Sequence, residues 1–148
     1  MSFNLDYERW IHLDAETLAE TGIGEAYGSL APELRKYVQE PARIQELVDN
    51  DAPRYSVKCG ERECAIYGPG CEEENSNSWG SATFAFFAFI NDQLAGSEYK
   101  FYAINGGNDL GGMFLTRAQA QAAQKVLPNR RDWPYLPEDK PPWYGQYH

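Results

Sequence analysis

The longest apolar pattern in the chain runs from Trp79 to Leu94. Trp79, Thr83, Phe86, Phe87, Ile90 and Leu94 recur at i, i+4, i+7, i+8, i+11 and i+15, the repeat of one helix face. Phe84 and Phe89 fall off this stripe, so such a helix must be buried on more than one side. Thr83, Ala85, Phe87 and Phe89 alternate as a strand would. The run from Asn91 to Gly96, with glycine at a C-cap position, decides for a helix over 79–95. Strand-like runs follow: Phe101, Tyr102, Ala103 and Ile104, then Met113, Phe114 and Leu115. Between them Asn105, Gly106, Gly107, Asn108 and Asp109 tolerate positive φ, so a β-hairpin with a loop longer than two residues is predicted. Gly111 and Gly112 mark either a bulge or a close approach of another backbone. Arg54 to Lys58 and Glu63 to Tyr67 alternate polar and apolar around Gly60-Glu61-Arg62, which predicts a second hairpin.

The first third reads as helical. Phe3, Leu5, Tyr7, Trp10 and Ile11 form an apolar opening, a short strand or an irregular segment laid on the core. Asp14 is placed to cap a helix beginning near Ala15, and Gly22 and Gly24 would break it. Ser29 is the next cap, with Pro32 in the first turn and Leu30, Leu34, Tyr37 and Val38 at helical spacing. Pro41 would open a further short helix that turns Ile44, Leu47 and Val48 inward. At the other end, Thr116 can cap a helix over 117–127 whose small face is Ala118, Ala122, Ala123 and Val126. The segment from Asp132 to His148 carries too many prolines for regular structure. It is expected to lie as a strap on the body, holding Trp133, Tyr135, Trp143 and Tyr144 against it. The expectation is one α+β domain over 1–148. It has a small antiparallel sheet of two hairpins, a central aromatic helix, an N-terminal helical part over 1–52 and a C-terminal strap.

Composition narrows the function more than the fold. The chain is 43% hydrophobic and 14% aromatic, as a folded protein is. Its formal charge is −9, which argues against nucleic acid and suits a basic protein partner. Residues 1–51 hold 11 acids and 4 bases, a balance of −7, against 11 acids and 9 bases over 52–148. The opening residues lack the basic and apolar regions of a signal peptide, and no apolar run approaches the ~18–20 residues of a membrane helix. A cytoplasmic protein without membrane contact is expected.

The catalytic and metal-site signals are weak. Cys59, Cys64 and Cys71 are spaced C-x4-C-x6-C, which matches no standard zinc pattern, and are read as structural thiols. The Gly106 to Gly112 loop matches neither phosphate-binding glycine pattern, and Asp109 would repel a phosphate. No nucleophile–base motif is present, so no enzyme and no cofactor are predicted. Glu72, Glu73 and Glu74 form an acidic loop, read either as a solvated surface or as a patch aimed at a basic partner.

The segment from Tyr102 to Thr116 (Tyr-Ala-Ile-Asn-Gly-Gly-Asn-Asp-Leu-Gly-Gly-Met-Phe-Leu-Thr), preceded by Trp79, Phe86-Phe87 and Asn91-Asp-Gln-Leu94, resembles small bacterial immunity proteins. Such proteins protect a cell against toxins delivered by contact-dependent or type VI secretion. The resemblance covers about Ser76 to Tyr144 and carries no catalytic motif. It implies a partner, a cognate toxin domain covered at its active or substrate site. The candidate interface is Glu72, Glu73, Glu74, Asn108 and Asp109, with Trp143 and Tyr144 as further anchors. The alternative is a small-molecule-binding or enzymatic α+β domain using the Gly106 to Gly112 loop.

Overall fold

The computed structural model describes residues 10–20, 22–49, 54–60, 62–67, 78–104, 110–128 and 133–137. Within them the order is β1 (Ile11–His12), α1 (Ala15–Glu20), α2 (Ile23–Leu34), β2 (Ile44–Asp49), β3 (Arg54–Cys59) and β4 (Arg62–Tyr67). Then come α3 (Ser78–Gln93), β5 (Tyr99–Ile104), β6 (Gly111–Thr116) and α4 (Arg117–Val126). The fold is α+β. The two hairpins fall into separate antiparallel sheets, β1-β6-β5 and β2-β3-β4, each with three strands.

The first sheet explains why its strands read as unbroken apolar runs. One face, with Phe101, Ala103 and Phe114, packs in the main core with α3. The other, with Tyr102, Ile104, Met113 and Leu115, packs on Ala120 and Ala123 of α4 and on Trp10. Both faces are covered, so alternation disappears. The Phe101 ring stacks on Phe87 at 4.8 Å and tilts against Phe114 at 4.7 Å between ring centres. Tyr37 stacks on Phe114 in turn, at 4.4 Å. From Thr83 to Leu94 the stripe along α3 is core, as its period requires, and Phe89 is as buried as the stripe. Phe84 is only half-buried.

Gly111 and Gly112 do not mark a bulge, since β5 and β6 pair in unbroken register from Tyr99↔Thr116 to Ile104↔Gly111. What comes close is not backbone but two aromatic rings. A Cβ on Gly111 would strike the Trp10 ring, and one on Gly112 the Phe101 ring.

Caps fix the helix phases. Asp14 Oδ1 accepts from the N–H of Glu16 at 3.0 Å and of Thr17 at 3.4 Å. Asp14 adopts φ 64°, a left-handed conformation that Asp tolerates better than most residues. Thr116 and Gln119 form a capping box. That phase buries Ala120 and Ala123, while Ala118 is exposed and Val126 is 48% exposed, so the packing face differs from the expected one.

Two expectations for the first third fail. No helix starts at Ser29. The helix α2 starts at Ile23, because its start is capped from outside: the Tyr55 hydroxyl accepts from the Ile23 N–H at 2.8 Å and donates to Glu46 Oε2 at 2.5 Å. The Glu46 carboxylate lies over Gly22 and Gly24, where added Cβ atoms would meet it. The helix does break at Gly22, between α1 and α2, as expected, and both glycines make room for the Glu46 carboxylate at the start of α2. Pro32 is carried on the exposed side of α2, and Tyr37 and Val38 lie beyond its end.

The second failure is the helix after Pro41, which is strand β2. All six residues pair with β3, from Ile44↔Cys59 to Asp49↔Arg54. Three apolar positions in five residues cannot separate the two periods, and long-range pairing decides. Leu47, expected inside, is 36% exposed on the outer face.

The hairpin of β3 and β4 turns at Gly60, with φ 63°, and buries Tyr55, Val57 and Cys59 towards α3. The strap is present where described. The backbone of Tyr135 exchanges both hydrogen bonds with Ala103, at 2.8 and 2.9 Å, and Trp133 Nε1 donates to the Leu127 carbonyl. No helix among the described residues is long and apolar enough to cross a membrane.

Two glycines of α2 and β6 give opposite expectations. Gly112→Ala should lower the unfolding free energy in urea by about 1–3 kcal/mol, because the methyl meets a buried ring. Gly28→Ala, in a helix interior with open space around it, should raise it by roughly 0.5–1 kcal/mol.

Candidate functional site

The candidate interface residues Glu72, Glu73, Glu74, Asn108, Asp109, Trp143 and Tyr144 all lie outside the described residues, as does Cys71. Their anchor points are described. The loop of Asn108 and Asp109 leaves β5 after Ile104 and returns at Leu110. The Leu110 carbonyl accepts from the N–H groups of Leu13 and Asp14, at 2.8 and 3.1 Å, so this return sits beside the start of α1 and exposed Glu16. Between α3 and β5 the chain reverses: Asn91 bonds the backbone of Phe101, and Phe87, one turn earlier, stacks on its ring. That reversal turns the loop end of the β5–β6 hairpin towards the start of α3, the element preceded by the Glu72 to Glu74 segment.

At the opposite, C-terminal end of α3 the structure assembles a polar group that the sequence reading did not single out. Gln93 Oε1 accepts from the Ala42 N–H at 2.7 Å. Its Nε2 donates to the Tyr27 hydroxyl at 2.9 Å and to the Phe89 carbonyl at 3.1 Å. The Tyr27 hydroxyl donates to the Ala42 carbonyl at 2.6 Å. Burial pushes the Tyr27 phenol up from its ordinary value, against a smaller opposing effect of the Gln93 hydrogen bond. Beside this network Arg62 forms a two-point pair with Asp92, Nε to Oδ2 at 2.5 Å and Nη2 to Oδ1 at 3.0 Å. The pair raises the Arg62 pKa, chiefly through that hydrogen bond.

The Arg62–Asp92 pair stands between two open clefts. One, of about 530 Å³, is lined by Ala42, Cys59, Gly60, Phe89 and Gln93 besides the pair itself. The other, of about 570 Å³, lies between α3, Lys100 and the strap at Leu136 and Pro137. Both volumes fall in the range of ligand sites, about 300–1,000 Å³.

Burial pushes the Cys59 thiol up, and the Asp92 carboxylate pushes it the same way, so it stays protonated at neutral pH. The Asp92 carboxylate is engaged by Arg62. Among the described residues no cluster of three or more His, Cys, Asp or Glu side chains is placed to hold a metal ion. Gln93 and Tyr27 spend their polar groups on joining α2, β2 and α3. Only weak signals in the sequence pointed here: Asp92-Gln93 at the end of an apolar helix, and Arg62 at a hairpin turn.

No family model matches this sequence, and neither a curated protein nor a solved structure matches it.

The Cys59 environment predicts slow alkylation. With iodoacetamide at pH 7, peptide mass spectrometry should find Cys59 modified at least about tenfold more slowly than an unfolded thiol, with the rate rising above the usual thiol pKa of about 8.5. Rapid labelling of Cys59 at neutral pH in the folded protein would contradict the environment described.

Proposed function

We propose that this chain is a cytoplasmic immunity protein that binds and neutralises a cognate antibacterial toxin by covering its active or substrate site. The observation that carries the reading is that Leu110, where the chain returns from the loop of Asn108 and Asp109, is bonded to the start of α1 beside exposed Glu16. The Glu72 to Glu74 run adds a second acidic segment in the sequence. The resemblance over Ser76 to Tyr144 and the formal charge of −9 point the same way.

The mechanism is stoichiometric. The acidic charge of the chain attracts a basic toxin and speeds encounter, and aromatic anchors such as Trp143 and Tyr144 slow release. Nothing in the toxin needs to be altered chemically. A surface that excludes its substrate is sufficient.

A secreted protein with a variable C-terminal domain is expected to be encoded next to this chain, and the test begins with it. Co-expression with its C-terminal domain should give a one-to-one complex by light scattering. Reversing Glu72, Glu73 and Glu74 together to Lys should weaken the complex by about 10–100-fold at low salt, mostly through slower association, and flatten its salt dependence. Failure to form any complex, with siblings killing the deletion strain no better than the parent, would rule the proposal out. Unchanged affinity in the triple variant would remove that loop from the interface.

A further inference from the structure

Phe84 breaks the apolar stripe of α3, and the fold does not bury it. It is half-buried, as is Ala88 one turn later, and Ala95 two turns beyond that is exposed. These three line the cleft of about 570 Å³. The facing wall is the strap, where Leu136 is 45% exposed beside Pro137. An open groove with apolar walls on both sides is an unusual way to leave a Phe and a Leu in contact with water.

The polar groups of this groove are few and mostly committed. Asn91 uses its amide on both backbone groups of Phe101. Asp92 is held by Arg62. Lys100 is different: its ammonium reaches the Leu94 carbonyl only at 3.5 Å, and it pairs with no carboxylate among the described residues. In a chain of formal charge −9, the described residues of this groove therefore present two cationic side chains against one paired acid.

We infer that the groove between α3 and the strap binds a small organic carboxylate with an apolar body. The body lies between Phe84, Ala88 and Leu136, and the carboxylate meets the Lys100 ammonium, with Arg62 at the rim. The apolar walls supply most of the binding, and the charge selects and orients the ligand. Lys100 carries the selection because a carboxylate there gains a charge-assisted hydrogen bond without breaking an existing ion pair. The groove runs from Phe84 along α3 to Ala95 and uses none of the residues named for the toxin, so either reading can stand without the other.

The test uses calorimetry on the full chain with two probes of one carbon skeleton, 3-phenylpropanoate and uncharged 3-phenylpropanol. Saturable binding of the acid is expected, with the alcohol about tenfold weaker or more, the worth of one charge-assisted hydrogen bond. Lys100→Met should bring the acid down to the level of the alcohol and leave the alcohol unchanged. Leu136→Glu, at an exposed position, should weaken the acid by repulsion and keeps the test open if Lys100→Met fails to fold. The inference is overturned by no saturable binding of the acid, by equal binding of acid and alcohol, or by a Lys100→Met protein that still binds the acid as well as the parent.

Discussion

The fold rests on how one side chain of α3 holds the backbone of β5. Asn91 accepts from the Phe101 N–H at 2.7 Å and donates to the Phe101 carbonyl at 3.1 Å, doing for one residue what a neighbouring strand would do. The ring of the same residue is gripped from three sides, by Phe87, Phe114 and the edge of Phe86. Truncating a core aromatic of this kind typically costs about 3–5 kcal/mol, a large share of the roughly 5–15 kcal/mol that holds a domain together. Position 112 must be glycine for the ring to lie where it does. The same seam closes the outer edge of β5. Tyr99 N–H is met by Ser97 Oγ, Phe101 by Asn91 and Ala103 by Tyr135, so the strand presents no open ladder for another chain to join.

From that seam the rest of the molecule takes its places. The reversal between α3 and β5 sends the long hairpin loop to one end and leaves the C-terminal end of α3 free for other work. There Gln93 and Tyr27 tie α2 and the approach to β2 onto α3, and Arg62 reaches across from β4 to Asp92. Buried amide and phenol groups that satisfy each other fix the spacing of elements, and an unpaired member would cost about 1–3 kcal/mol. The two ends differ accordingly. One holds Leu110 against the start of α1, and the other is a packed polar joint flanked by clefts.

Much of this was legible where a residue type admits few environments. The α3 stripe, the Asp14 and Thr116 caps, the turn at Gly60 and both hairpins follow from period and cap chemistry. The errors share a cause, which is that a distant partner supplied what local reasoning looked for nearby. Gly22 is a poor start for a helix until Tyr55 and Glu46 arrive from two strands. Ile44 to Asp49 has no strong period of its own and becomes a strand because β3 pairs with it at every position. Phe84 looked like extra core and is instead a cleft wall. The interface candidates sit in segments where charge and turn residues can be read from sequence but position cannot.

The central claim is that Asn91 and the rings around Phe101 seal β5 as firmly as a paired strand would. Native-state hydrogen exchange of the Phe101 amide tests it most directly. If the seam holds the fold, that amide exchanges only when the whole protein unfolds, with the same opening free energy as the most protected amides of α3. Exchange at the rate of an open sheet edge, while α3 stays protected, would contradict the account.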